Sequence, residues 1–141
     1  AWVRVRDEGD RITMSYKQAP VGSTVSDCFE TELVIDSYEN GVTFCEDIGL
    51  VRKSYQETKR ESWETDDAKF DIDTWPGVPT FIEVEAATEE VVRRLVEALG
   101  FAWGAAFFGG VGVIYLRFLN LPEHEVNLIP EITFSNPPKP R

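Results

Sequence analysis

Imidazole and thiol are almost absent from this sequence, whose single histidine is His124 and whose cysteines are Cys28 and Cys45. The cysteines lack CxxC spacing, which argues against a zinc site or a redox pair and leaves two reduced thiols packed as small hydrophobes. His124 falls in the first turn of a short expected helix, Leu-Pro-Glu-His-Glu-Val, where a solvent-facing role is expected. No apolar run is long enough to span a bilayer and no charged-then-apolar leader is seen, so a soluble, cytoplasmic chain is expected. The glycines at 104, 109, 110 and 112 fit neither a P-loop nor a dinucleotide fingerprint. Cations are also in short supply. With 14 Lys and Arg against 25 Asp and Glu, the net charge of −11 repels nucleic-acid backbones and anionic membranes. An anionic substrate would have to be drawn in by clustered Lys and Arg, by divalent metals on carboxylates, or by both.

What the sequence does have is strands with charges of one sign at alternate positions. In Phe81-Ile82-Glu83-Val84-Glu85 the period of two aims Glu83 and Glu85 at one face and Ile82 and Val84 at the other. Trp2-Val3-Arg4-Val5-Arg6 does the same with arginines, and Asp7-Glu8-Gly9-Asp10 turns it into a second strand ending near Lys17. Pro20 and Gly22 mark a loop from Gln18 to Asp27. Phe29 to Ile35 is a further Glu-x-Glu strand carrying Glu30 and Glu32. Arg52 to Trp63 reads as one strand with Arg60 on the charged face, and Lys69 to Asp73 as a short one, followed by the rigid Trp75-Pro76-Gly77-Val78-Pro79 connection.

Two helices follow the Glu-x-Glu strands. The first has Asp36 or Ser37 as N-cap, an apolar stripe of Tyr38, Val42, Cys45 and Ile48, and Gly49 as its stop. The second starts at Thr88, buries Val91, Val92, Leu95, Val96 and Leu99, and stops at Gly100. Strand, helix and glycine stop thus occur twice, as in a sheet built from two related halves. Residues 101–129 are glycine-rich and aromatic, and short helices packed on the rim are expected there. A single domain over 1–134 is expected, with 101–134 as a C-terminal helical extension and 135–141 as a flexible, proline-rich tail.

Collected on one face, the alternate residues are Arg4, Arg6, Lys17, Glu30, Glu32, Arg60, Lys69, Asp71, Asp73, Glu83 and Glu85. An antiparallel sheet with one solvated face shows the same pattern, its charges paired across strands. Repetition of one sign along each strand points instead to something of opposite charge lying between neighbours. Arg forks and Lys ammoniums suit phosphate oxygens, and carboxylates suit hard divalent cations.

The order Trp-Val-Arg-Val-Arg-Asp-Glu-Gly, Ile-Thr-Met-Ser-Tyr-Lys, Glu-Thr-Glu-Leu, Thr-Lys-Arg-Glu-Ser-Trp, Phe-Asp-Ile-Asp, Phe-Ile-Glu-Val-Glu and Leu-Gly-Phe resembles the CYTH family of triphosphate tunnel metalloenzymes, and the likeness runs on to Ile-Thr-Phe-Ser-Asn-Pro-Pro. That resemblance implies an α+β fold whose antiparallel β-sheet forms a tunnel barrel, here incomplete, with helices packed on the outer face. It also implies a small-molecule triphosphate as ligand and Mg²⁺ or Mn²⁺ as cofactor. Carried over, Arg4, Arg6, Lys17, Lys59 and Arg60 would bind phosphates, and Glu30, Glu32, Asp73, Glu83 and Glu85 would hold metal. Glu83, Glu85 and Arg60 would be the catalytic set. The implied activity is binding, with metal-dependent hydrolysis, of tripolyphosphate, thiamine triphosphate or a nucleoside triphosphate. The alternatives are a non-catalytic dimer that binds a small organic phosphate and a class IV-type adenylyl cyclase. The family's leading Glu-x-Glu-x-Lys strand is not in this sequence, so an exposed N-terminal edge strand and a homodimer formed through it are expected.

Overall fold

The computed structural model describes residues 1–18 and 29–141. Apart from Gln18, the loop expected up to Asp27 lies outside the described residues, as does Cys28. The chain packs as two compact units, 1–52 and 53–141, where the sequence predicts one domain over 1–134.

The first unit is a three-stranded antiparallel sheet with one helix. Strands β1 (Trp2–Asp7), β2 (Ile12–Gln18) and β3 (Phe29–Ile35) lie in the order β1-β2-β3. Alternation fixes its faces. Arg4 sits opposite Ser15 and Ser15 opposite Glu32, while Val5 pairs with Met14 and Met14 with Leu33. Helix α1 (Tyr38–Asp47) covers the apolar face, its N-terminus capped by Ser37, whose hydroxyl accepts from the Asn40 N–H at 3.1 Å. Gly41, a weak helix former, is explained by this packing. A Cβ there would lie 2.5 Å from Ile35 Cδ1 and 3.2 Å from Val5 Cγ1, so glycine lets helix and sheet approach closely. Strand β1 has a neighbour on one side only among the described residues.

The second unit repeats the plan and adds to it. Strands β5 (Lys59–Glu64), β6 (Ala68–Thr74) and β7 (Phe81–Ala86) form an antiparallel sheet in that order, and α2 (Glu89–Ala98) follows, capped by Thr88 through its acceptance from Val91 N–H at 3.3 Å. Both helices end in the same hydrogen-bonded stop. Gly49 and Gly100, at φ of +90° and +88°, donate to Glu46 and Glu97, and the next residues, Leu50 and Phe101, donate to Cys45 and Val96.

Three elements of this unit differ from expectation. The strand predicted over Arg52–Trp63 is broken in two, because β4 (Tyr55–Gln56) pairs in parallel with the distant β8 (Glu131–Ile132) and leaves the ladder that β5 joins. The glycine-rich aromatic stretch supplies the core rather than decorating a rim. It forms a 3₁₀ turn (Trp103–Ala105), α3 (Val111–Leu119) and α4 (Glu123–Val126), and Tyr115, Leu119, Leu121 and Val126 are buried together with Ile132. Tyr115 stacks edge-on with Trp75 and donates its hydroxyl to the Pro76 carbonyl at 2.9 Å. Finally, the tail is tied down. Arg141 donates its backbone N–H to Leu119 O at 3.0 Å and pairs with Glu125 at 2.6 Å, while Pro138 lies against Gly77.

The architecture is α+β, with two antiparallel sheets, one short parallel pair and four α-helices among the described residues. The described strands do not close a barrel. No helix among the described residues is long and apolar enough to cross a membrane.

Candidate functional site

Charged faces occur in both units, and they differ in how their charges are held. In the second unit the register sets Arg60 opposite Asp73, Ser62 opposite Asp71, and Asp71 opposite Glu83. Arg60 donates Nε and Nη2 to the two oxygens of Asp73 at 2.7 and 2.6 Å. It also reaches Asp71 with Nη1 at 2.7 Å and Glu83 with Nη2 at 3.0 Å. Lys69 adds a second cation on Asp71 at 3.1 Å, and the Ser62 hydroxyl donates to that residue's other oxygen at 2.5 Å.

Buried carboxylates need such partners. Asp71 and Asp73 are only 1% and 2% exposed. Burial by itself would raise the Asp71 pKa, but hydrogen bonds from Ser62 and Lys69 and attraction to Arg60 and Lys69 hold it below the ordinary value. Glu83 goes the other way. Its burial raises its pKa, and the nearby Asp73, Glu85 and Asp71 add to this against the pull of Arg60. The hydrogen bonds that Arg60 donates to Asp73 hold its guanidinium more firmly charged than usual, against the cost of its burial.

The charged face of the first unit is looser, and on it the strands carry more cations than carboxylates. Arg4, Arg6 and Lys17 share a face with Glu30 and Glu32, three positive charges to two negative. Glu30 takes Lys17 at 2.8 Å and Arg4 at 3.6 Å, and Arg6 turns towards Glu8 at 3.4 Å. Arg4 Nε is buried and has no hydrogen-bond partner among the described residues. Burial and the neighbouring Arg6 both lower the Arg4 pKa, against the attraction of Glu30, Glu32 and Glu8. Between these side chains, on the middle strand, Thr13 and Ser15 are buried hydroxyls on the same face.

Of the residues singled out in the sequence, Arg4, Arg6, Lys17, Glu30 and Glu32 therefore share a face in the first unit, while in the second Asp73 and Glu83 meet at Arg60 and Glu85 lies on the same face. Lys59 falls on the opposite face of β5 from Arg60, its ammonium 5.0 Å from the centre of the Phe134 ring. Glu85 is exposed and makes no ion pair among the described residues, because its cross-strand neighbour Lys69 turns to Asp71. Sequence reasoning left Asp71 and Ser62 out of the site. Alternation in Phe-Asp-Ile-Asp puts both aspartates on one face, but only the strand register sets Asp71 across from Ser62 and Glu83.

These carboxylates, as arranged, do not fit a divalent cation. No group of three or more His, Cys, Asp or Glu side chains among the described residues is placed to hold one. Asp71, Asp73 and Glu83 converge on a guanidinium, which fills the position a metal would need. This sheet realises the cross-strand pairing that alternation equally allows.

Fold and faces together define an α+β protein with two three-stranded antiparallel sheets, each presenting charges on one side. No protein-family model matches the chain, and no curated protein matches it either. Among solved structures it is similar to a conserved hypothetical protein from Pyrococcus furiosus, with a TM-score of 0.60 and 15% identity over 72% of this chain and 67% of that one. This likeness speaks to the fold alone.

Proposed function

We propose that the chain binds a triphosphate-containing small molecule, tripolyphosphate, thiamine triphosphate or a nucleoside triphosphate, through Arg4, Arg6 and Lys17. The observation that carries this reading is Arg4, a guanidinium beside a second arginine with a buried N–H lacking any partner among the described residues. A polyphosphate supplies what is missing, since its oxygens accept from several N–H groups at once and offset the surplus positive charge. The CYTH resemblance favours the same ligand class. It also brings Mg²⁺ or Mn²⁺ and hydrolysis or cyclisation as parts of the reading to be tested.

Calorimetric titration with tripolyphosphate, with and without Mg²⁺, is the experiment. Wild-type protein should bind. Arg4→Gln should weaken binding by about 10- to 100-fold, the equivalent of one charged hydrogen bond of roughly 1.5–3 kcal/mol. Arg11→Gln, in the turn and paired with Glu8, should leave it unchanged. No heat with wild type, or equal affinity in Arg4→Gln, sinks the proposal. A second reading, binding without turnover, is favoured by the capture of Asp73 and Glu83 by Arg60. Phosphate release in Mg²⁺ or Mn²⁺ would select the hydrolase, and cyclic AMP with pyrophosphate from ATP the cyclase. Binding with neither product selects the non-catalytic protein.

A further inference from the structure

The carboxylates of β6 and β7 already surround a cation that belongs to the chain. Arg60 makes four hydrogen bonds to Asp71, Asp73 and Glu83, between 2.6 and 3.0 Å. Two of the three acceptors are aspartates that are almost wholly buried, so their oxygens have little water to fall back on. Arg60 and Lys69 bring two positive charges to three negative ones, a balance that a dication would overturn. A Mg²⁺ ion binds oxygen at about 2.0–2.1 Å and would have to take the lone pairs now facing the guanidinium. Arg60 would then lose four hydrogen bonds and sit beside a double positive charge.

We infer that Arg60 is the resident cation of the β5–β7 face and that it excludes divalent metal from Asp71, Asp73 and Glu83. The guanidinium does structurally what a metal would do, drawing three carboxylates from two strands to one point, but it keeps no open coordination position for water or phosphate. Replacing it by a neutral side chain of similar shape leaves three carboxylates and one lysine, a charge of −2 that a dication cancels. Arg60→Gln is therefore a gain-of-site variant. This inference concerns the second unit only and stands or falls independently of triphosphate binding by Arg4, Arg6 and Lys17.

Manganese titration followed by the electron paramagnetic resonance of the free ion tests it. Arg60→Gln should acquire a Mn²⁺ site in the range of about 10⁻⁴–10⁻³ M that is typical of weak carboxylate sites. The double variant Arg60→Gln/Asp73→Asn should lose it again, and wild type should show no Mn²⁺ binding that depends on Asp73. Wild-type binding abolished by Asp73→Asn overturns the inference, as does a folded Arg60→Gln that gains nothing. Where the variants do not fold, the wild-type Arg60 Nε–H resonance decides. It should persist unbroadened in Mn²⁺ at concentrations that occupy such a site, and its selective loss means that the ion sits where the guanidinium was placed.

Discussion

The two three-stranded sheets are built to one plan and stabilised in opposite ways. Each runs through three antiparallel strands into a ten-residue helix with a hydroxyl N-cap and the same glycine stop. In the second unit the charged face is knotted around Arg60, and beyond the sheet a core of Tyr115, Leu119, Leu121, Val126 and Ile132 is buried. In the first, no large apolar side chain among the described residues is fully buried, and the charged face keeps a cation short of partners. A motif can thus be repeated while its two copies differ, one having a packed core and closed ion pairs and the other a face with an arginine short of partners. An arginine whose three nitrogens all donate to carboxylates, as in Arg60, ties a sheet's strands together. One left partly unpaired is better suited to take an incoming anion.

The contrast is most exposed to deletion of buried side chains. Tyr115→Ala should cost about 3–5 kcal/mol in urea unfolding, the range for removing a large buried aromatic. Met14→Ala, at the half-buried position facing Cys45, should cost about 1–2 kcal/mol, since less apolar area is lost. An equal or larger loss at Met14 would break the asymmetry. The caps probe what the two halves share. Ser37→Ala and Thr88→Ala should each destabilise by about 1 kcal/mol, because each removes one acceptor for an orphan helix N–H in matching geometry. A clear effect at only one of them would mean that the repeated plan is not repeated energetically.

The smallest effect sharpens the electrostatics of the second sheet. Because the Glu83 pKa is raised by burial, the folded protein binds that proton more readily than the unfolded chain. Glu83 therefore opposes folding above its raised value, and this cost fades as pH falls through that value to below the ordinary glutamate range. Its side chain is 40% exposed, so solvent screening keeps the effect small. Glu83→Gln should be more stable than wild type by up to about 0.5 kcal/mol at pH 7, with the gap closing towards pH 4 in thermal melts. Asp71 has the opposite sign: its lowered pKa adds stability above the ordinary aspartate value that is lost as pH falls through the lowered one. A Glu83→Gln protein destabilised at neutral pH would show that its contact with Arg60 outweighs the cost of burial.

Much of the frame could be read from local pattern. The β1–β2 hairpin, the Glu-x-Glu strands, the caps at Ser37 and Thr88 and the stops at Gly49 and Gly100 rest on side-chain alternation, turn chemistry and capping, all set by neighbours within a few residues. The β4–β8 pair could not be read. Two residues in each strand carry no period, and they join positions 55 and 131. Nor could the location of the core, because an apolar and aromatic stretch such as Val111–Leu119 says that it will be buried somewhere but not against what.

For the charged faces the division is sharper still. Alternation along the chain by itself determined which side of each strand carries Arg4 and Arg6, Glu30 and Glu32, Arg60, Asp71 and Asp73, or Glu83 and Glu85, since successive side chains in a strand must point to opposite sides. Only the tertiary structure decided which of these charges neutralise one another. Cross-strand register and burial, neither of which a single strand encodes, closed Asp71, Asp73 and Glu83 around Arg60 and left Arg4 with an N–H that meets no partner among the described residues.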